Sequence, residues 1–142
     1  YPKLLLSVRM PGQDFLENGL TTADAIQIAK ALETAGVNII HVSSGIGGWR
    51  GPSSRSGIEG YLVPEAEIIQ AAVSIPVIGV GGIKTSDYMD KVIREKTISL
   101  TAVGRALAAN PQKYKKAGIY EKINLWLSNF KYSIASKSQS KS

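Results

Sequence analysis

Two apolar strands that each run into glycine where a helix should begin constrain this chain more than any other feature. Residues 75–80 read Ile-Pro-Val-Ile-Gly-Val and lead into Gly81-Gly82, while residues 98–103 read Ile-Ser-Leu-Thr-Ala-Val and lead into Gly104-Arg105. Short apolar runs separated by one helix-length stretch are the pattern of consecutive βα units in a parallel sheet. A glycine at the junction lets the backbone approach a ligand closely, and the first amides of the next helix have no acceptor within it. The helix dipole favours an anion at the same place, and the Arg105 guanidinium adds a fork that matches phosphate oxygens. Either junction alone is equally explained as a tight turn; the repeat points to a phosphate site.

The rest of the chain repeats the same unit. Residues 3–9 alternate as a strand, with Leu4, Leu6 and Val8 on one face and Leu5, Ser7 and Arg9 on the other. In a barrel strand the first set would turn outward onto helices and the second inward, which brings Arg9 to the carboxyl end where barrel active sites are built. Thr21 can cap a helix with Asp24 three residues on, and Ala25, Ile28, Ala29, Leu32 and Ala35 follow at helical spacing up to Gly36. Residues 37–43 return as a strand containing His41, for which a structural, hydrogen-bonded role is expected. Pro64 opens a helix with Ile68, Ile69, Ala72 and Val73 on its apolar side, and Thr85 or Ser86 opens another with Met89, Val92 and Ile93. Residues 106–110 read as one or two helical turns stopped by Pro111.

The expected architecture is therefore α/β: four parallel βα units, half of an eight-stranded barrel, since right-handed crossovers curl every unit the same way. Residues 1–110 form this half-barrel, residues 111–131 a terminal amphipathic helix carrying Ile123, Trp126, Leu127 and Phe130, and residues 132–142 a disordered basic tail. Residues 44–63 hold six glycines with Trp49, Arg50, Arg55 and Tyr61 and show no period. Connections of that length are often binding loops, so a mobile loop over the active face is expected.

Composition narrows the chemistry. The chain has 142 residues, enough for one core, and no apolar run of membrane-spanning length, so a cytoplasmic protein without membrane association is expected. It has no cysteine and one histidine, His41, which excludes disulfides, thiolate catalysis and a histidine-rich metal centre. The net charge of +6 lies entirely beyond residue 110, where seven lysines face Glu121 alone. No arginine or aromatic cluster accompanies the Ser/Lys-rich end, so nucleic acid is not expected as a partner.

The segments Ser7-Val8-Arg9, residues 20–36, His41-Val42-Ser43-Ser44-Gly45, Val80-Gly81-Gly82-Ile83 and Val103-Gly104-Arg105-Ala106-Leu107 with Asn110-Pro111 resemble, in that order, the second half of the Old Yellow Enzyme family. Its members are FMN-dependent NAD(P)H oxidoreductases and ene-reductases on a TIM barrel, and the chain is most like the branch known as NADH oxidase or NADH:flavin oxidoreductase. The resemblance implies that Arg9 reaches the flavin pyrimidine edge at N1 and O2. It implies that Gly81 and Gly82 hold the FMN phosphate through their backbone, joined by Gly104 and Arg105. It implies NADH or NADPH as hydride donor and a small-molecule electron acceptor.

The family's first half is absent from this sequence, and with it a flavin-contacting glutamine, the residues that grip the substrate oxygen and a proton-donating tyrosine. Tyr61 and Tyr88 do not stand in the matching place, so no catalytic residue is assigned. With Tyr1 in place of a starting methionine, the chain reads as a processed, split or expressed fragment, expected to pair with an N-terminal half-barrel chain or with itself. Two other readings stay open: another phosphate-ligand barrel, which would give no particular reason for Arg9, and a non-catalytic remnant or assembly subunit.

Overall fold

The computed structural model describes residues 4–46 and 53–110. The chain divides into two compact units, Tyr1–Gly104 and Arg105–Ser142. The first contains strands β1 (Ser7–Pro11), β2 (Ile39–Ser43), β3 (Val77–Gly79) and β4 (Leu100–Thr101), and helices α1 (Thr22–Thr34), α2 (Val63–Ala72) and α3 (Ser86–Arg94), with a 3-10 turn at Ser53–Arg55. The second contains the short helix α4 (Arg105–Ala109). All four strands are parallel and lie in chain order, β1-β2-β3-β4. This is the partial α/β barrel that the sequence pattern implies.

Local signals explain where the helices begin and end. The Thr21 hydroxyl accepts from the Asp24 amide and the Asp24 carboxylate accepts from the Thr21 amide, a reciprocal box made with aspartate in place of glutamate. Loss of such a cap costs about 1 kcal/mol. Gly36, just past α1, takes a φ of +93°, a conformation open to glycine and strained for other residues. Pro64 falls in the first turn of α2, and the Thr85 hydroxyl caps α3 by accepting from the Tyr88 amide.

Strand alternation then sorts the sheet into two faces. Met10, Ile40, Val42, Val77 and Gly79 are buried beneath the helices, together with Ala25 and Ala29 of α1, Ala66 and Ile69 of α2, and Met89 and Val92 of α3. Fully buried residues such as Ile40 and Ile69 each contribute on the order of 2 kcal/mol through removal of apolar surface from water. Gly79 is a packing glycine, because a Cβ there would come within 2.6 Å of Ile98 Cδ1. The opposite face carries a row set by the register, Arg9 beside His41, His41 beside Ile78 and Ile78 beside Leu100. Each of these four is exposed or half-buried.

The strands are shorter than their apolar runs and shifted. The first begins at Ser7 rather than residue 3, leaving Leu4, Leu5 and Leu6 exposed, and the fourth reduces to Leu100–Thr101. Ladder pairing, not hydropathy, sets these limits, and pairing depends on the neighbouring strand. Trp49, Arg50, the terminal helix with Ile123, Trp126, Leu127 and Phe130, and the basic tail lie outside the described residues.

Candidate functional site

The carboxyl ends of β3 and β4 come together because these strands pair directly, Ile78 with Leu100 and Gly79 with Thr101. Gly82 and Gly104 each lie three residues beyond the last pair. Among the described residues, the amides of Gly81, Gly82 and Gly104 have no protein acceptor. Backbone N–H groups are rarely left so when no ligand or water is to take them.

The two junctions nevertheless differ in construction. Gly81 and Gly82 have φ of +112° and +67°. A Cβ at Gly81 would lie 2.9 Å from Leu62 and one at Gly82 would lie 2.8 Å from the Tyr61 ring. Both glycines are therefore required by backbone conformation and by the loop that packs on them, before any ligand is considered. Gly104 has no positive φ, and a Cβ there would meet nothing within 4 Å among the described residues. Its side is open to that extent.

The amino end of α3, which the sequence offers as part of the anion site, is already occupied. Glu59 accepts from the amides of Lys84 and Thr85, both at 2.6 Å, and from the Thr85 hydroxyl at 3.0 and 3.1 Å. Burial pushes the Glu59 carboxyl up, and the hydrogen bonds from Lys84 and Thr85 outweigh it, so the net shift is below the ordinary value. The amides of Lys84 and Thr85 are thus taken by Glu59, and the candidate anion site after β3 narrows to the glycine turn. In the second unit, Arg105 opens α4.

Arg9 is exposed on β1, on the open face, and has no carboxylate partner among the described residues. Its register neighbour His41 departs from the expected hydrogen-bonded role. The imidazole Nε2 is buried and has no hydrogen-bond partner among the described residues. Burial first, and then the Arg9 charge, hold its pKa below the ordinary 6.5, so it stays neutral.

The connection between β2 and α2, expected to be mobile, is tied down over its second half. Arg55 Nη1 donates to both oxygens of Glu65, at 2.8 and 2.9 Å, and to the Tyr61 carbonyl at 3.1 Å. Glu65 is 2% exposed, and Gln13, beyond β1, donates to it at 2.7 Å. Gly12 makes room, since a Cβ there would come within 2.6 Å of Glu65 Cβ. A charge buried to this degree needs such partners. The sequence signals for this clamp and for Glu59 are weak, because the partners stand many residues apart and carry no motif.

Residues 3–121 match the NADH:flavin oxidoreductase / NADH oxidase family. The chain is 41% identical over 118 residues to an NADH oxidase from Thermoanaerobacter brockii, covering 79% of this chain and 18% of that protein. It is 33% identical over 106 residues to an NADPH dehydrogenase from Geobacillus thermodenitrificans, covering 75% of this chain and 30% of that one. It superimposes on histamine dehydrogenase from Rhizobium sp. 4-9 with a TM-score of 0.65 at 23% identity, over 83% of this chain and 17% of that one, a likeness of fold. The chain thus spans less than a third of the length of these relatives. FMN is the cofactor that goes with this family, and NADH or NADPH the electron donor. The chain belongs to the NADH:flavin oxidoreductase / NADH oxidase family.

Proposed function

We propose that this chain is the FMN-binding half of an NAD(P)H-dependent flavin oxidoreductase of the NADH oxidase or ene-reductase type, incomplete as a catalyst alone. The observation that carries the reading is the set of amides at Gly81, Gly82 and Gly104, beyond neighbouring strand ends, that have no acceptor among the described residues. Amides without acceptors suit a phosphate, and the open side of Gly104 leaves room for one. Arg105, which follows directly in sequence, would supply charge to the same phosphate.

Arg9 would meet the pyrimidine edge of the flavin, where a fixed cation stabilises negative charge. When bound, FMN supplies the hydride chemistry, accepting from NADH or NADPH and passing electrons to a small-molecule acceptor. The chain's own residues bind and orient it. Neutral His41 beside Arg9 adds no second positive charge to that face.

The open face and the edges β1 and β4 are proposed to be covered by an N-terminal half-barrel chain, which would bring the substrate-gripping residues; pairing with a second copy is the other outcome. A cytoplasmic location is part of the same proposal, and among the described residues no helix is long and apolar enough to cross a membrane.

The test compares FMN with riboflavin, which shares the ring and lacks the phosphate, by quenching of flavin fluorescence. FMN is expected to bind more tightly, and Arg105→Ala to weaken FMN by about 1.5–3 kcal/mol, the range for a charge-assisted contact, with riboflavin unaffected. Equal binding of the two flavins would defeat the phosphate assignment. Light scattering of the purified chain reports the partner: a compact monomer would contradict the proposed pairing.

A further inference from the structure

We propose that Glu59 is a positioning residue for the phosphate grip, holding the glycine turn after β3 in shape by occupying the amino end of α3. The inference rests on the reading above that this turn takes the cofactor phosphate. Residues 59–63 lie along the turn residue by residue. Glu59 holds the amides of Lys84 and Thr85 and the Thr85 hydroxyl, and that same hydroxyl accepts from the Tyr88 amide at 3.2 Å. Gly60, at a φ of +72°, sits where a Cβ would collide with the Tyr88 phenol. Tyr61 packs on Gly82 and Leu62 on Gly81, and the Val63 amide closes the segment by donating to the Gly60 carbonyl at 2.8 Å.

The consequence is a division of labour within one stretch of backbone. Lys84 and Thr85 spend their amides on Glu59, which removes the helix end as a landing place for an anion. Gly81 and Gly82, separated from them by Ile83 alone, keep amides with no acceptor among the described residues. A carboxylate so near a phosphate site also opposes the phosphate through like charge. Two effects of opposite sign therefore meet at Glu59. Three hydrogen-bond donors converging on one carboxylate favour the positioning effect as the larger.

The experiment measures FMN and riboflavin dissociation constants for the full chain, in whatever assembly it purifies as, for wild type, Glu59→Ala and Glu59→Gln. Positioning predicts that Glu59→Ala weakens FMN about tenfold, equivalent to about 1.4 kcal/mol, while riboflavin is unchanged. Glu59→Gln retains one acceptor oxygen and is expected to weaken FMN about threefold, again leaving riboflavin unchanged. Should Glu59→Ala fail to fold, the glutamine variant carries the test. FMN affinity unchanged or improved in the variants, or an equal loss for both flavins, overturns the proposal. Wild-type protein that binds the two flavins alike would instead defeat the phosphate reading on which it rests.

Discussion

The glycines after β3 and the glycine after β4 look interchangeable in sequence and are built for different reasons. Gly81 and Gly82 are held at positive φ under Leu62 and Tyr61, so their identity follows from the protein's own packing. Gly104 has neither a positive φ nor, among the described residues, a neighbour within 4 Å of where a side chain would start. Backbone conformation and packing therefore account for Gly81 and Gly82 as glycine and, among the described residues, do not account for Gly104. What unites the junctions is that their amides have no acceptor among the described residues, a property of hydrogen bonding that glycine content does not report.

The largest expected effect removes the support of the crowded turn. Arg55→Ala leaves the buried Glu65 carboxylate with Gln13 but without its countercharge. Because the arginine side chain is about one-third exposed, a loss near the low end of the range for a broken buried pair is expected, about 3 kcal/mol by urea denaturation. If the pair is isolated in this way, replacing both residues, Arg55→Met with Glu65→Leu, should recover most of that loss. A double variant as unstable as the single one would show that the segment is not held by this charge.

Alanine at each glycine tests the contrast directly. Gly82→Ala should cost about 2–3 kcal/mol, from a left-handed backbone and from the Tyr61 contact together. Gly104→Ala should leave stability within about 0.5 kcal/mol while weakening FMN and sparing riboflavin. Equal destabilisation at the two sites would erase the distinction.

The smallest effect concerns the open face. His41 has a folded-state pKa below 6.5, so the unfolded chain binds a proton that the folded chain does not. Stability is then complete above 6.5 and falls as pH drops from there through the folded value. Thermal melts between pH 5 and 7 should show this slope in the wild type, and His41→Asn should flatten it. An unchanged slope in His41→Asn assigns the acid sensitivity elsewhere.

Much of the fold was legible because it is local. Thr21 with Asp24, Gly36, Pro64 and Thr85 mark helix ends through contacts within a few residues, and the apolar spacing of α1 and α3 names the buried positions Ala25, Ala29, Met89 and Val92. Ile28 and Ile93 share that spacing yet remain partly exposed, because the helices turn only part of their apolar stripe to the sheet. The strands are shorter than the sequence suggests, since apolar runs extend beyond the residues that find a ladder partner. Arg9 and the glycine junctions are recognisable as a candidate site from residue type and order; Glu59 and the Arg55–Glu65–Gln13 clamp are not.

The order of βα units, the helix boundaries and the resemblance to one flavoenzyme family follow from local pattern, because periodicity and capping act over a single turn of chain. Which amides lack an acceptor among the described residues is set by the assembled fold. Glu59 reaches Lys84 from 25 positions away, and Gln13 reaches Glu65 from 52. An N–H group is available to a ligand only if no distant residue has folded back to accept from it, and that depends on where loops meet, which no local pattern encodes.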